Sequence, residues 1–101
     1  MASSDPILTI SIAAKLLHIH PRTIMLYEKS NLFSSQRTDT KRRMFSEKDL
    51  GDLQFIKFLT QKKGINLQGV KVVLDALYIS EKSGLDLRSR LFPEFRTEKL
   101  F

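Results

Sequence analysis

The chain has 101 residues, no cysteine, and 17 Lys and Arg against 11 Asp and Glu, a net charge of +6. That length fits one domain with a modest core, and the missing cysteine excludes disulfides and thiolate metal sites. No run approaches the ~18 consecutive apolar residues of a membrane span, and Met1 to Pro6 lacks the basic-then-apolar order of a signal peptide, so the expected location is cytoplasmic.

Met1 to Pro6 is small and polar and is read as a flexible N-terminus. Ile7 to Ile10 reads as a short strand or extended lead-in. Ser11 is a candidate N-cap for a helix over Ile12 to Leu17, with Ala13, Leu16 and Leu17 on one face. His18-Ile19-His20 then forms a three-residue turn of helix-turn-helix length. Pro21 suits the first position of the next helix, where its fixed φ is already helical and its missing N–H costs nothing. Ile24 and Tyr27 face inward, Arg22, Met25 and Lys29 lie on other faces, and Asn31 ends the helix in a left-handed conformation.

Leu32 to Ser35 and Met44-Phe45 are expected to pair as the arms of a hairpin, with a polar tip from Thr38 to Lys41 that holds the turn former Asp39. Ser46-Glu47-Lys48-Asp49 is a helix start signal. The helix that follows carries Leu50, Leu53, Phe55, Ile56, Phe58 and Leu59, and Gly64 stops it. Asn66 caps a fourth helix from Leu67 to about Ile79, with Val70, Val73, Leu74 and Leu77 in a stripe. The expected fold is mainly α: a winged helix-turn-helix of four helices and a small β-hairpin wing over residues 7–79. Residues 80–101 then form a tail punctuated by Gly84 and Pro93, with a short helix over Leu85 to Phe92.

Charge is concentrated in the hairpin. Arg37 to Arg43 holds four basic residues and one acidic, whereas Glu81 to Phe101 holds five and four. A helix that can enter the major groove, where base edges are distinguishable, followed by a basic loop that can grip phosphates, points to double-stranded DNA. The candidate DNA-binding residues are His20, Arg22, Thr23 and Tyr27 on the helix, and Arg37, Lys41, Arg42 and Arg43 in the wing. Tyr27 serves equally well as a core residue, His20 as a helix cap, and one of Arg42 and Arg43 is expected to point back toward the body. Leu74, Leu77, Tyr78, Leu85, Leu91, Phe92 and Phe95 are candidates for a dimer or partner surface. No glycine-rich phosphate loop or nucleophile–base constellation is present, so no enzyme and no cofactor are expected. His18 and His20 lack the companions of a metal site.

Several ordered motifs carry a family resemblance. Ile10-Ser11-Ile12-Ala13-Ala14, then Pro21-Arg22-Thr23-Ile24 with Tyr27-Glu28, then Arg42-Arg43-Met44-Phe45-Ser46-Glu47-Lys48-Asp49 resemble the DNA-binding domain of MerR-type transcriptional regulators. Gly64-Ile65-Asn66-Leu67-Gln68-Gly69-Val70 and His20-Pro21 are similar to the HspR branch of heat-shock repressors. Two positions depart from the family pattern. Met25 stands where the family has an arginine after Thr-Ile/Leu, and Phe45 stands for the wing tyrosine. The resemblance implies a DNA-binding regulator, acting as a repressor and as a homodimer on an inverted repeat, in a bacterial, nucleoid-associated setting. The HspR branch further implies a DnaK-type chaperone as co-repressor. Only Glu81 to Phe101 follows Ser80, so a full effector-binding domain is not expected within this sequence. Two rival functions are an excisionase-like architectural DNA factor, and a protein-interaction module working through the apolar tail, including Leu100 and Phe101.

Overall fold

The computed structural model describes residues 4–37 and 43–100, with Gln36 and Arg37 as backbone. In chain order the elements are β1 (Leu8–Thr9), α1 (Ile10–Leu17), α2 (Pro21–Lys29), β2 (Gln36–Arg37), β3 (Arg43–Phe45), α3 (Glu47–Lys57), α4 (Leu67–Lys82) and α5 (Leu87–Leu91). The architecture is mainly helical with a small antiparallel sheet, as the sequence predicts.

The sheet runs in the order β1-β3-β2. Central β3 pairs Phe45 with Leu8, Met44 with both Thr9 and Gln36, and Arg43 with Arg37. The first strand therefore does more than lead in: it anchors the hairpin to the body. Its pairing also moves the start of α1. Thr9, held extended by Met44, has the backbone conformation of an N-cap, and its side chain accepts from the Ile12 N–H at 3.3 Å. Ser11, the expected cap, lies inside the helix and is exposed.

His18 closes α1 in a left-handed conformation, φ 57°, and the Ile19 N–H returns to the Ala14 carbonyl at 3.0 Å. Lys57 of α3 donates to the Leu17 carbonyl at 2.7 Å, placing a cation where the helix end is negative. Pro21 opens α2 as expected, and Asn31 ends it at φ 61°. Leu32 to Ser35 does not form a strand. Leu32 is buried, and the Phe33 ring stacks on Phe45 at 5.8 Å. The contact pulls this stretch onto the core and moves the first arm of the hairpin to Gln36–Arg37.

Ser46 and Asp49 form a complete, buried capping box at the start of α3. Asp49 N–H donates to the serine oxygen at 3.0 Å, and Ser46 N–H donates to the carboxylate at 2.8 Å. The helix continues through a π-helical turn, Phe58–Lys62, and reverses at Gly64, φ 66°. Asn66 caps α4 through the Gly69 N–H at 2.8 Å.

Ala13, Leu17, Ile24, Phe45, Leu50, Leu53, Leu59 and Val70 fill the core between α1, α2, α3, α4 and the sheet. The apolar face of α3 is wide because it is covered on two sides. Phe55 and Phe58 receive Phe92 and Phe95 from the tail, with ring centroids 5.0–5.9 Å apart across the two pairs. Arg88 lies over Phe55 at 4.1 Å, and Lys63 pairs with Glu94 at 2.7 Å. Gln54 brackets the Glu98 backbone, donating to its carbonyl and accepting from its N–H, both at 2.8 Å. Among the described residues no helix is long and apolar enough to cross a membrane.

Candidate nucleic-acid interface

Helix α2 has two opposed faces. Ile24 and Tyr27, three residues apart, are buried in the core. Arg22, Leu26 and Lys29, at the four- and three-residue spacings that align on a helix, are exposed on the other side. Met25 adjoins them and is also exposed. This face carries two cations and no acid.

The start of the helix is fixed by His20. Its Nδ1 accepts from the Arg22 N–H at 3.0 Å. A ring nitrogen that accepts carries no proton, so in the neutral ring the proton sits on Nε2. His20 is exposed. Thr23 is half-buried on the flank of the first turn, its N–H bonded to the His20 carbonyl at 2.9 Å. The capping role of His20 is thus observed directly.

Tyr27 takes its core role. Its side chain is 3 % exposed, and its hydroxyl lies 3.3 Å from the Thr60 hydroxyl. A hydroxyl enclosed in this way has no path to a phosphate, which corrects the DNA-contact reading of this residue.

In the wing, Arg43 is the arginine that points back. Its guanidinium meets Glu28 of α2 at 2.9 Å, its Nε is buried without a hydrogen-bond partner, and about a quarter of its side chain is exposed. That position corrects Arg43 as an outward phosphate contact. The Arg37 backbone is in β2, opposite Arg43. Arg42 and the tip, Thr38 to Lys41, lie outside the described residues.

The proposed partner residues separate into two groups. Leu74, Leu77, Tyr78 and Leu85 line one open cleft of about 850 Å³ between α3, α4 and α5. Tyr78 and Leu85 are exposed there, and Leu91 is exposed as well. Phe92 and Phe95 instead pack on the chain's own α3, so they are not free for a partner. Among the described residues no three His, Asp or Glu side chains are grouped as a metal site.

Leu26 was not singled out by the sequence pattern, yet it stands 47 % exposed one turn beyond Arg22. The signal was present. Ile24 and Tyr27 define the inward face, and Leu26 falls outside it. A large apolar side chain on a basic exposed face suits contact with thymine methyl groups.

The family model described as "MerR HTH family regulatory protein" matches residues 8–77. The chain is 35% identical over 75 residues to a putative heat shock protein HspR of Streptomyces coelicolor, covering 74% of this chain and 50% of that protein. It is 41% identical over 71 residues to the HTH-type transcriptional regulator GlnR of Bacillus anthracis, covering 70% and 54%. The chain thus spans about half the length of the curated relatives it matches. Among solved structures it is similar to HiNmlR, a MerR family regulator lacking the sensor domain, in a crystal structure bound to promoter DNA. The TM-score is 0.70 at 25% identity, over 93% of this chain and 67% of that one.

Proposed function

Because the chain belongs to the MerR family of helix-turn-helix regulatory proteins, we propose that it is a sequence-reading DNA-binding transcriptional regulator. It works as a homodimer on an inverted repeat, and it represses. The observation that carries this reading is α2. One of its faces is consumed by the core, and the opposite face, with Arg22, Leu26 and Lys29, is exposed and cationic.

In this reading α2 lies in the major groove. Arg22 forks onto a guanine edge or an adjacent phosphate, His20 Nε2–H donates to a phosphate beside it, and Thr23 closes the first turn. The wing runs along the backbone, where Arg37, Lys41 and Arg42 neutralise phosphates and set register without reading sequence. From Ile10 to Ser46 there are seven basic residues (Lys15, Arg22, Lys29, Arg37, Lys41, Arg42, Arg43) against two acidic ones (Glu28, Asp39). One of those acids, Glu28, is occupied by Arg43. A second copy related by two-fold symmetry would present its α2 about one helical turn away, roughly 34–36 Å, which accounts for the inverted repeat. The cleft bounded by Tyr78 and Leu85, which also carries Lys48, Asp52, Glu81 and Arg88, offers that copy, or a DnaK-type co-repressor, a mixed apolar and charged surface. Similarity to HspR and to a neighbour crystallised on promoter DNA supports the assignment.

Selection of the purified chain against a random duplex library tests it. The expected product is an inverted repeat with half-sites one turn apart, bound by two copies. Direct repeats with strong bending would favour an architectural, excisionase-like role instead. No enrichment of any sequence would refute the DNA reading.

A further inference from the structure

Glu28 stands on the flank of α2, between the core face and the exposed face. It neither fills the interior nor points outward with Arg22. Its carboxylate, with the side chain 19% exposed, reaches the start of β3 and the residue that leads into β2 at once. Oε1 meets the Arg43 guanidinium at 2.9 Å, at the start of β3. Oε2 accepts from the Ser35 N–H at 3.0 Å, and from the Ser35 hydroxyl, at the residue that leads into β2. All three contacts have an ionised partner, the stronger and more directional class of hydrogen bond.

The sheet has other ties besides this grip. β3 is held by β1 through Phe45 and Met44, and Phe33 stacks on Phe45 independently of Glu28. What Glu28 adds is a link from the last turn of the helix to β3 and to the residue that leads into β2. We propose that Glu28 is a positioning residue that fixes the wing relative to the recognition helix, so that groove and backbone contacts form together. The proposal rests on the DNA-binding reading above and deepens it: the wing's reach is set by a carboxylate on the helix.

Glu28→Gln is the decisive variant, because the amide keeps the shape and an acceptor for Ser35 but loses the charge that holds Arg43. Hydroxyl-radical footprinting on the selected duplex separates protections beneath α2 from those beneath the wing. The expected result is that the wing protections fade while those beneath α2 persist. Affinity for the selected site falls about tenfold, within the range of such coupling networks, and the melting temperature moves by only a few degrees. Arg43→Gln should reproduce this pattern, and the double variant should be no worse than either single, as two ends of one contact require. A Glu28→Gln protein that retains both sets of protections, or whose affinity loss only follows lost stability, would overturn the proposal. A wild-type chain without any footprint would overturn the DNA-binding reading itself, and this inference with it.

Discussion

Arg22→Ala separates reading from scaffolding. The Arg22 side chain is exposed, and among the described residues it forms no ion pair. The bond at this position that supports the helix start uses its backbone N–H, donated to His20 Nδ1, which alanine keeps. Stability should therefore change by no more than about 0.5 kcal/mol. On DNA the loss is different. A bidentate contact with a base discriminates by about 1–3 kcal/mol, or about 5- to 140-fold in affinity. Fluorescence anisotropy should be run on the selected duplex and on a set with each base pair changed in turn. The variant should bind the selected site more weakly and become indifferent at one or two positions per half-site. An unchanged preference at every position would refute base reading by Arg22. A loss equal on all sequences, with a salt slope shallower by about 0.9 per half-site, would reassign it to a phosphate. A fall of many degrees in melting temperature would show that it is structural.

Three further outcomes follow from the geometry. Ser46→Ala removes half of a capping box that is almost completely buried. It should cost about 1 kcal/mol, lowering the melting temperature by about 4–8 °C, and an unchanged melting curve would contradict the box. Hydrogen bonding from Lys63 holds the Glu94 carboxyl below its usual value of 4.5. A depressed carboxyl favours the docked tail above the ordinary pKa, and that contribution is lost as pH falls through the lower, docked-state pKa. Amide shifts of residues 92–98 should therefore report loosening only as pH falls below the ordinary carboxyl value, and Glu94→Gln should abolish that acid step. Phe95→Ala removes a half-buried ring between Phe55 and Phe58. It should expose the tail amides to hydrogen exchange while leaving base preference intact, and unaltered exchange would contradict docking of the tail on α3.

The readable parts of the fold were those decided within one turn of chain. Pro21, Asn31, the Ser46–Asp49 box, Gly64 and Asn66 each act through their own backbone and near neighbours, and each stands where the sequence places it. The misplaced parts were decided across the chain. Ser11 lost the cap to Thr9 because β3, some 35 residues away, holds Thr9 extended. The first wing arm shifted because Phe33 found Phe45. Tail aromatics that looked like an outer surface found Phe55 and Phe58 on α3, which no local pattern specifies. In the candidate site, Arg22 and the exposed face of α2 were legible from helical spacing and Pro21. The inward turn of Arg43 was foreseen only as a choice between two neighbours. Glu28 belongs to the family motif, but its role was not legible there, because its partners Ser35 and Arg43 lie 7 and 15 positions away.

The central claim is that a cationic α2 and its wing hold a specific DNA sequence, and a salt titration tests it most directly. Affinity for the selected duplex and for a scrambled one should be measured from low to physiological salt. The account predicts that log K falls linearly with log salt for both, with a slope of about −0.9 per neutralised phosphate and steeper than about −3. The selected duplex should stay at least about a thousandfold tighter. Binding that ignores salt, or that is equal for the two duplexes, would contradict it.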